Sequence, residues 1–355
     1  MTPMPPPGAN GATRRATMKD VAALAGVSPK TVSNVVTGTV AVRDETRVRV
    51  ETAMAELDFV PNLSARGLRS GRSGIIAVAL PDLATAYSAE LVHRIVQAAH
   101  ERGLAVQIEE TATEPEREKE LLSRARAQLV DGLILNPIRL EDSVIRYADR
   151  LPPIVVIGEV EQTRTDHVRI DSRVAAADAA RHVIARGARR IAVIGADDDQ
   201  EIETATSRLR LEGVHDALRE AGIPRDPRLE VNTLPWSMAA GADAARALLA
   251  REVGFDAVIA LTDSLALGVL HALHAHGIRV PEDVIVTGFD DVEFSDFTSP
   301  SLTTIAFDRR AFAEAALGLL ESRMDDRTAP PRGLTLSHRL IERASTSGSP
   351  AGYRP

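Results

Sequence analysis

From Ser73 onward the chain alternates short apolar runs with amphipathic stretches, and this alternation constrains its fold more than any other feature. Residues 75–80 form the first run, followed by a helical pattern from about Tyr87 to Arg102. The unit recurs at 104–108 with a helix near 116–127, then at 132–135 with a helix near 142–150, then at 154–157. It resumes at 190–194, 229–231, 257–260 and 284–286, separated by helices near 208–221, 238–250 and 264–276. Strands that are apolar throughout, each followed by a helix, predict parallel sheets covered on both faces. The strands are too many for one compact sheet, so two α/β lobes are expected, with Ile170-Asp171-Ser172 as a crossover. In open α/β sheets ligands sit beyond the carboxyl ends of strands. That rule nominates the loops that begin at Pro81, Asn136, Gly158, Ala196, Thr233, Thr262 and Phe289.

The first part of the chain follows different rules. Thr17 can cap a helix with Asp20 in its first turn, and Val21, Leu24 and Ala25 supply an apolar face at helical spacing. Gly26 can take the positive φ that ends this helix. Ser28-Pro29 restarts one, Ser as N-cap and Pro at the first helical position. Val32, Val35 and Val36 would face inward, leaving Pro29, Lys30, Thr31, Ser33 and Asn34 outside. A third helix starts at Asp44-Glu45, carries Val50, Ala53, Met54 and Leu57 on one face, and stops near Phe59 because Pro61 disfavours helix before it. Two short helices joined by a Gly-containing turn fit a helix-turn-helix, whose second helix enters the major groove.

Residues 61–72 connect the two parts. This basic stretch has Leu68 as its only large apolar residue after Leu63, so alone it should be marginally helical and fold only against a partner.

Charge divides along the same line. Residues 1–73 carry ten Lys/Arg against six Asp/Glu, a net of +4, and with −8 for the whole chain the remainder carries −12. A basic arm on an acidic body suits a polyanion bound by the arm alone. The hydrophobic content of 44% is ample for buried cores. The chain has no Cys, which removes thiol nucleophiles and thiolate metal sites and fits a reducing compartment. No secretory h-region and no membrane-spanning run is seen, so a soluble, cytoplasmic protein is expected. Residues 1–16 and 345–355 read as disordered tails.

The run Thr17-Met18-Lys19-Asp20-Val21-Ala22, then Ala25-Gly26-Val27-Ser28-Pro29-Lys30-Thr31-Val32-Ser33, Asp44-Glu45-Thr46-Arg47 and Phe59-Val60-Pro61-Asn62 resembles the DNA-binding headpiece of the lactose-repressor/galactose-repressor family. The resemblance extends over almost all of the chain. It implies an all-α helix-turn-helix headpiece (17–60), a hinge helix (61–72) and a two-lobed periplasmic-binding-protein-like effector domain with parallel sheets (73–344). Lobe 1 would hold about 73–170 and 302–324, and lobe 2 about 171–301 and 325–344, including a strand at 334–340. Pro29, Lys30 and Asn34 fall where the family reads base edges, Lys suiting guanine and Asn adenine. Ser28, Thr31, Ser33 and the Arg residues would hold phosphates, Thr17 is counted among the DNA-binding residues, and Asn62, Ala65, Arg66 and Leu68 belong to the hinge. Leu68 stands where the family inserts a paired leucine wedge into the minor groove.

The same resemblance sharpens the effector site to Tyr87, Asn136, Glu159, Arg210, Trp236, Thr262, Asp263 and Asp290. An aromatic platform with Arg and Asp groups suits a sugar or nucleoside. The chain departs from the family at 84–88, which lacks the usual Asn-Pro-Phe-Phe character, at Thr262 where Asn is common, and at Gly158-Glu159 where Asp-Arg is frequent. The implied function is a repressor that binds a pseudo-palindromic operator in double-stranded DNA as a homodimer and answers to a small-molecule effector. No membrane partner, cofactor, metal or catalytic residue is implied. A sugar-binding transport receptor and a cleft enzyme are the rival classes; the first leaves the headpiece unexplained and the second lacks a nucleophile beside a base. His271, His274 and His276 lie near a helix end, where cationic groups suit the dipole, rather than in a metal site. Asp197-Asp198-Asp199 reads as a solvated loop.

Overall fold

The computed structural model describes residues 16–37, 40–59, 72–112, 114–127, 129–137, 143–147, 151–160, 162–196, 204–348 and 350–354. Two compact units share the chain, 1–71 and 72–355.

The first unit contains α1 (Met18–Ala25), α2 (Pro29–Thr37) and α3 (Asp44–Glu56). Thr17 caps α1 through a full capping box: its side chain accepts from the Asp20 N–H while Asp20 reaches back to the Thr17 backbone. Gly26 ends α1 at φ 66°, a conformation that costs other residues energy. The core is Val21, Ala22, Ala25, Val32, Val50 and Ala53, with Val35, Val36, Met54, Leu57 and Phe59 packed against it. Two expectations change. Leu24 is half exposed and Ala22 takes the inward place, because α1 turns its small side toward α3. Ser33 is buried, since both α1 and α3 contact α2 and widen its covered arc beyond the valines.

The second unit is α/β. Its elements are β1 (Ile75–Leu80), α4 (Ala86–Glu101), β2 (Ala105–Glu110), α5 (Pro115–Arg126), β3 (Gly132–Leu135), α6 (Val144–Tyr147), β4 (Ile154–Ile157), β5 (Asp166–Ile170), α7 (Ser172–Ala185), β6 (Ile191–Ala196), α8 (Ala205–Glu220), β7 (Glu230–Asn232), α9 (Met238–Ala250), β8 (Ala257–Ala260), α10 (Asp263–Ala275), β9 (Ile285–Phe289), β10 (Thr303–Phe307), α11 (Arg309–Asp325), β11 (Gly333–Leu336) and β12 (His338–Ile341). One sheet runs β11-β5-β4-β3-β1-β2, parallel throughout. The other runs β12-β10-β9-β8-β6-β7, with only β12 antiparallel. The central strands are buried on both faces, which is why they read as continuous apolar runs.

Helices cover these faces by periodic burial. On α4, Leu91, Val92, Ile95, Ala98 and Ala99 are the buried apolar residues, and each fully buried Leu or Ile contributes about 1.5–3 kcal/mol. The α7–α8 contact is close enough that a Cβ on Gly213 would sit 2.0 Å from the Arg173 carbonyl oxygen.

The lobe boundaries differ from expectation at the end of the chain. Strand β10 lies in the second lobe's sheet, α11 packs on the first lobe, and β11 returns to the first lobe's sheet before β12 joins the second. The expected single strand at 334–340 is therefore two strands in different sheets. The last residues are also ordered where described, contrary to the expected tail. Ser345 and Thr346 are fully buried. The Ser345 hydroxyl donates to the Val286 carbonyl (2.6 Å) and accepts from the Thr303 N–H (2.8 Å). Tyr353 pairs with Phe255 through backbone bonds, their rings 5.4 Å apart. Small hydroxyls and one aromatic anchor a segment whose composition resembles a tail. The expected N-terminal tail up to residue 15, the hinge at 61–71 and Asp197–Asp199 lie outside the described residues.

Candidate functional site

Loops at the carboxyl ends of strands from both sheets meet around one cavity of about 570 Å³, within the usual range for small-molecule sites of about 300–1,000 Å³. From the first lobe come Pro81 and Asp82 after β1, Tyr87 on α4, Asn136 after β3, and Gly158 and Glu159 after β4. From the second come Thr204, Thr206 and Arg210 of α8, Trp236, Thr262, Ser264 and Asp290. Seven of the eight residues named from the sequence line this cavity: Tyr87, Asn136, Glu159, Arg210, Trp236, Thr262 and Asp290.

Asp263 is the exception. Its carboxylate is fully buried and accepts from the Val292 N–H (2.9 Å), the Ser295 hydroxyl (2.7 Å) and the Thr304 hydroxyl (2.6 Å). It ties the start of α10 to β10 and to the loop after β9. Three protein donors hold both of its oxygens away from the cavity lining, so it braces the wall rather than forming its inner surface.

Arg210 and Asp290 form the centre of the second lobe's contribution. Both are almost fully buried, with an Nη2–Oδ1 distance of 3.5 Å. The guanidinium stacks 3.4 Å from the centroid of the Phe289 ring, and also donates to the Ser172 hydroxyl (3.4 Å) and to the Leu261 carbonyl. Asp290 has φ 113°, a backbone conformation that non-glycine residues rarely adopt. The surroundings hold it there: its N–H donates to the Ile305 carbonyl (2.9 Å), and its own carbonyl accepts from Arg309. Sparsely populated backbone of this kind collects at ligand sites, where aiming a side chain outweighs the strain.

Electrostatics at the wall follow from burial. Desolvation pushes Glu159 up to about 7, against the opposing pull of Arg210. Burial likewise raises Asp290 to about 6, opposed by Arg210 and Arg309, and lifts Asp263 to about 7, helped by the charge of Asp290. The Tyr87 hydroxyl is also pushed up by burial and by Asp290, so it stays a neutral phenol. Tyr87 packs on Phe307 across the lobes, ring centroids 6.3 Å apart. Gly158 has no freedom to be another residue: at φ 94°, a Cβ would lie 2.6 Å from Asn136 Oδ1.

Several cavity residues were not anticipated, among them Asp82, Glu110, Thr204, Ser264 and Phe307. Thr204 had a readable signal, a hydroxyl residue at a helix start: it caps α8 as Thr85 caps α4 and Thr262 caps α10. Phe307 had none, because only the tertiary fold brings β10 to the cavity.

On the first unit Ser28, Pro29 and Lys30 are exposed, and Thr31 and Asn34 half-buried, so these five share an accessible start of α2. The Thr17 hydroxyl is engaged by Asp20 in capping (2.6 Å), and Ser33 is turned inward, which removes it from a phosphate-facing surface. Asn62, Ala65, Arg66 and Leu68 lie outside the described residues. No described helix is long and apolar enough to cross a membrane.

A helix-turn-helix unit on the same chain as a two-lobed α/β domain with a small-molecule cavity defines a ligand-binding transcriptional regulator. Residues 17–62 match the bacterial regulatory proteins of the lacI family, and residues 180–346 match a periplasmic binding protein-like domain. The chain is 32% identical over 337 residues to the HTH-type transcriptional repressor CytR of Escherichia coli K12, covering 94% of this chain and 97% of that one. Among solved structures it is similar to the Lac repressor dimer bound to operator and the anti-inducer ONPF (TM-score 0.79, 29% identity, 94% of this chain and 99% of that one). It is also similar to a complex of the transcriptional regulator CelR with cellobiose (TM-score 0.69, 30% identity, 93% and 100%). The chain belongs to the LacI family.

Proposed function

We propose that this regulator represses transcription from a pseudo-palindromic operator that it binds as a homodimer, and that a small polyhydroxylated ring in the inter-lobe cavity switches its grip on DNA. The convergence of Tyr87, Asn136, Glu159, Arg210, Trp236, Thr262 and Asp290, from both lobes, on one cavity carries the reading. A ligand touching both lobes binds one relative lobe angle better than others, and this differential affinity is what an allosteric switch requires. Trp236 offers an apolar platform, while Asp290, Asn136 and Thr262 offer hydrogen-bonding groups, the combination a sugar or nucleoside needs. The likeness to a regulator solved with cellobiose and to a repressor solved on operator supports both halves. In this reading Pro29, Lys30 and Asn34 meet base edges, Ser28 and Thr31 meet phosphates, and Leu68 is the minor-groove wedge.

Operator binding by fluorescence anisotropy at fixed salt, with a thermal-shift screen of sugars and nucleosides, tests this proposal. Asp290→Ala is expected to abolish the ligand response while operator binding remains, and Leu68→Ala to do the reverse. A ligand response intact in Asp290→Ala and also in Arg210→Ala would refute the cavity assignment. Unchanged operator affinity in Leu68→Ala would refute the wedge.

A further inference from the structure

We propose that the cavity selects a polyhydroxylated ring bearing an amino group, an amino sugar in the first instance, and rejects phosphorylated or carboxylated rings. The proposal rests on the reading of this cavity as the effector site and adds the charge class of the ligand.

Among the described residues, the cavity wall carries four carboxylates, Asp82, Glu110, Glu159 and Asp290, against a single guanidinium, Arg210. That guanidinium already gives three of its five N–H groups to Ser172, Leu261 and Asp290 and stacks on the face of Phe289, so most of its donor capacity is committed. Arg309, behind Asp290, is matched by Glu90 at 3.5 Å.

Three helices begin at the wall, α4, α8 and α10, and helix N-termini by themselves favour anions. Each is capped by its own threonine: Ser88 N–H to Thr85 (3.2 Å), Ser207 N–H to Thr204 (3.0 Å) and Leu265 N–H to Thr262 (3.2 Å). About half a unit of positive charge per terminus, added to Arg210, falls short of balancing four carboxylates. A phosphate or carboxylate entering here would be buried next to like charge.

The acceptors are also well placed for an amine. Glu159 is almost fully buried in the wall, with Ser172 supplying its hydrogen bonds and Arg210 and Arg169 as the cations acting on it. Asp290 gives one oxygen to Arg210, and its other oxygen has no donor among the described residues. An ammonium placed between these groups would form charge-assisted hydrogen bonds, roughly twice as strong as neutral ones. A hydroxyl in the same place would make only neutral hydrogen bonds to these carboxyl groups.

Isothermal titration of the full chain with matched hexose sets tests the selection, each hexose supplied as the parent sugar, the 2-amino sugar, the uronate and the 6-phosphate. A nucleoside pair differing only in an exocyclic amine against a carbonyl shows whether a base, rather than a sugar, carries the amino group. The amine-bearing member of a set should bind roughly tenfold or more tighter than its hydroxyl counterpart, and the uronates and phosphates should give no saturable heat. Glu159→Gln and Asp290→Asn should each shrink that preference while the protein keeps a cooperative melt and binds operator. A uronate or phosphate that binds as tightly as the amine would overturn the proposal. So would a preference that survives both variants, or no saturable binding by any amine-bearing ring. Binding that depends on Trp236 but shows no amine preference overturns this proposal alone. Ring binding indifferent to Trp236→Ala and Arg210→Lys overturns the cavity reading beneath it.

Discussion

Replacing Asp263 by Ala separates a structural role from a ligand-binding one. The substitution removes an acceptor from three buried donors at once, the Val292 N–H and the hydroxyls of Ser295 and Thr304, at 2.6–2.9 Å. Hydrogen bonds to a charged group contribute about 1.5–3 kcal/mol each, and a buried donor left without a partner costs about 1–3 kcal/mol. The two hydroxyls can rotate toward other acceptors, whereas the Val292 N–H is fixed, so the three effects do not add in full. A loss of about 3–5 kcal/mol is expected, the upper part of the range for breaking a buried hydrogen-bond network. In a domain of this size each kcal/mol moves Tm by roughly 2–4 °C, so the unliganded melt should fall by about 6–20 °C. Differential scanning calorimetry of wild type and variant at one pH gives the shift. Titration below the variant's Tm then asks whether ligand selectivity survives. A Tm within about 2 °C of wild type together with lost ligand binding would refute the structural assignment and return Asp263 to the cavity surface.

The remaining predictions concern other parts of the chain. Glu159 is raised from its ordinary value of 4.5 to about 7 on folding, so its stabilising effect is complete below about pH 4.5 and is lost as pH rises toward 7. Between pH 5 and 7.5 wild type should therefore lose about 2 kcal/mol relative to Glu159→Gln; a Tm difference between the two that stays constant over this range contradicts the buried carboxylate. Gly213→Ala should destabilise by about 1–3 kcal/mol or more, because its Cβ would meet the Arg173 carbonyl at 2.0 Å; denaturant unfolding measures this, and a neutral result would mean that α7 and α8 can separate at little cost. Lys30→Ala should weaken operator binding and lower the salt slope by about 1 if the lysine meets a phosphate, or relax specificity at one base position if it reads a base edge; titrations at several salt concentrations on two operator variants distinguish these, and no change in either would remove Lys30 from the interface.

The parallel sheets were legible because their strands are buried on both faces and so read as uninterrupted apolar runs, as in Ile75–Leu80 and Ala257–Ala260. Strand β5 was harder to read: Asp166 and His167 open it, and Asp166 is buried only because Arg323 and the Arg332 N–H reach it from distant segments. Helix α7 was missed because its buried face is largely alanine, which gives a weak periodic signal. Cavity residues at strand ends followed from the parallel-sheet rule and the family resemblance. Asp263 and Asp290 looked equivalent in sequence, as acids just beyond strands, yet one turns into protein donors and the other toward the cavity. That distinction depends on hydroxyls more than thirty residues away, which no local pattern reports.

The two lobes are joined at three places: through Asp171 between β5 and α7, through Asp308 between β10 and α11, and through Ser337 between β11 and β12. Register puts these links side by side, since Ile170 pairs with Leu336 in one sheet and Phe307 with His338 in the other. Three single-residue pins in a row leave the lobes little freedom to slide or part, so the motion remaining is a swing about the line of pins. In the function proposed above, a ligand in the cavity would act as a wedge in a one-axis joint, its size and bonds setting the angle between the lobes.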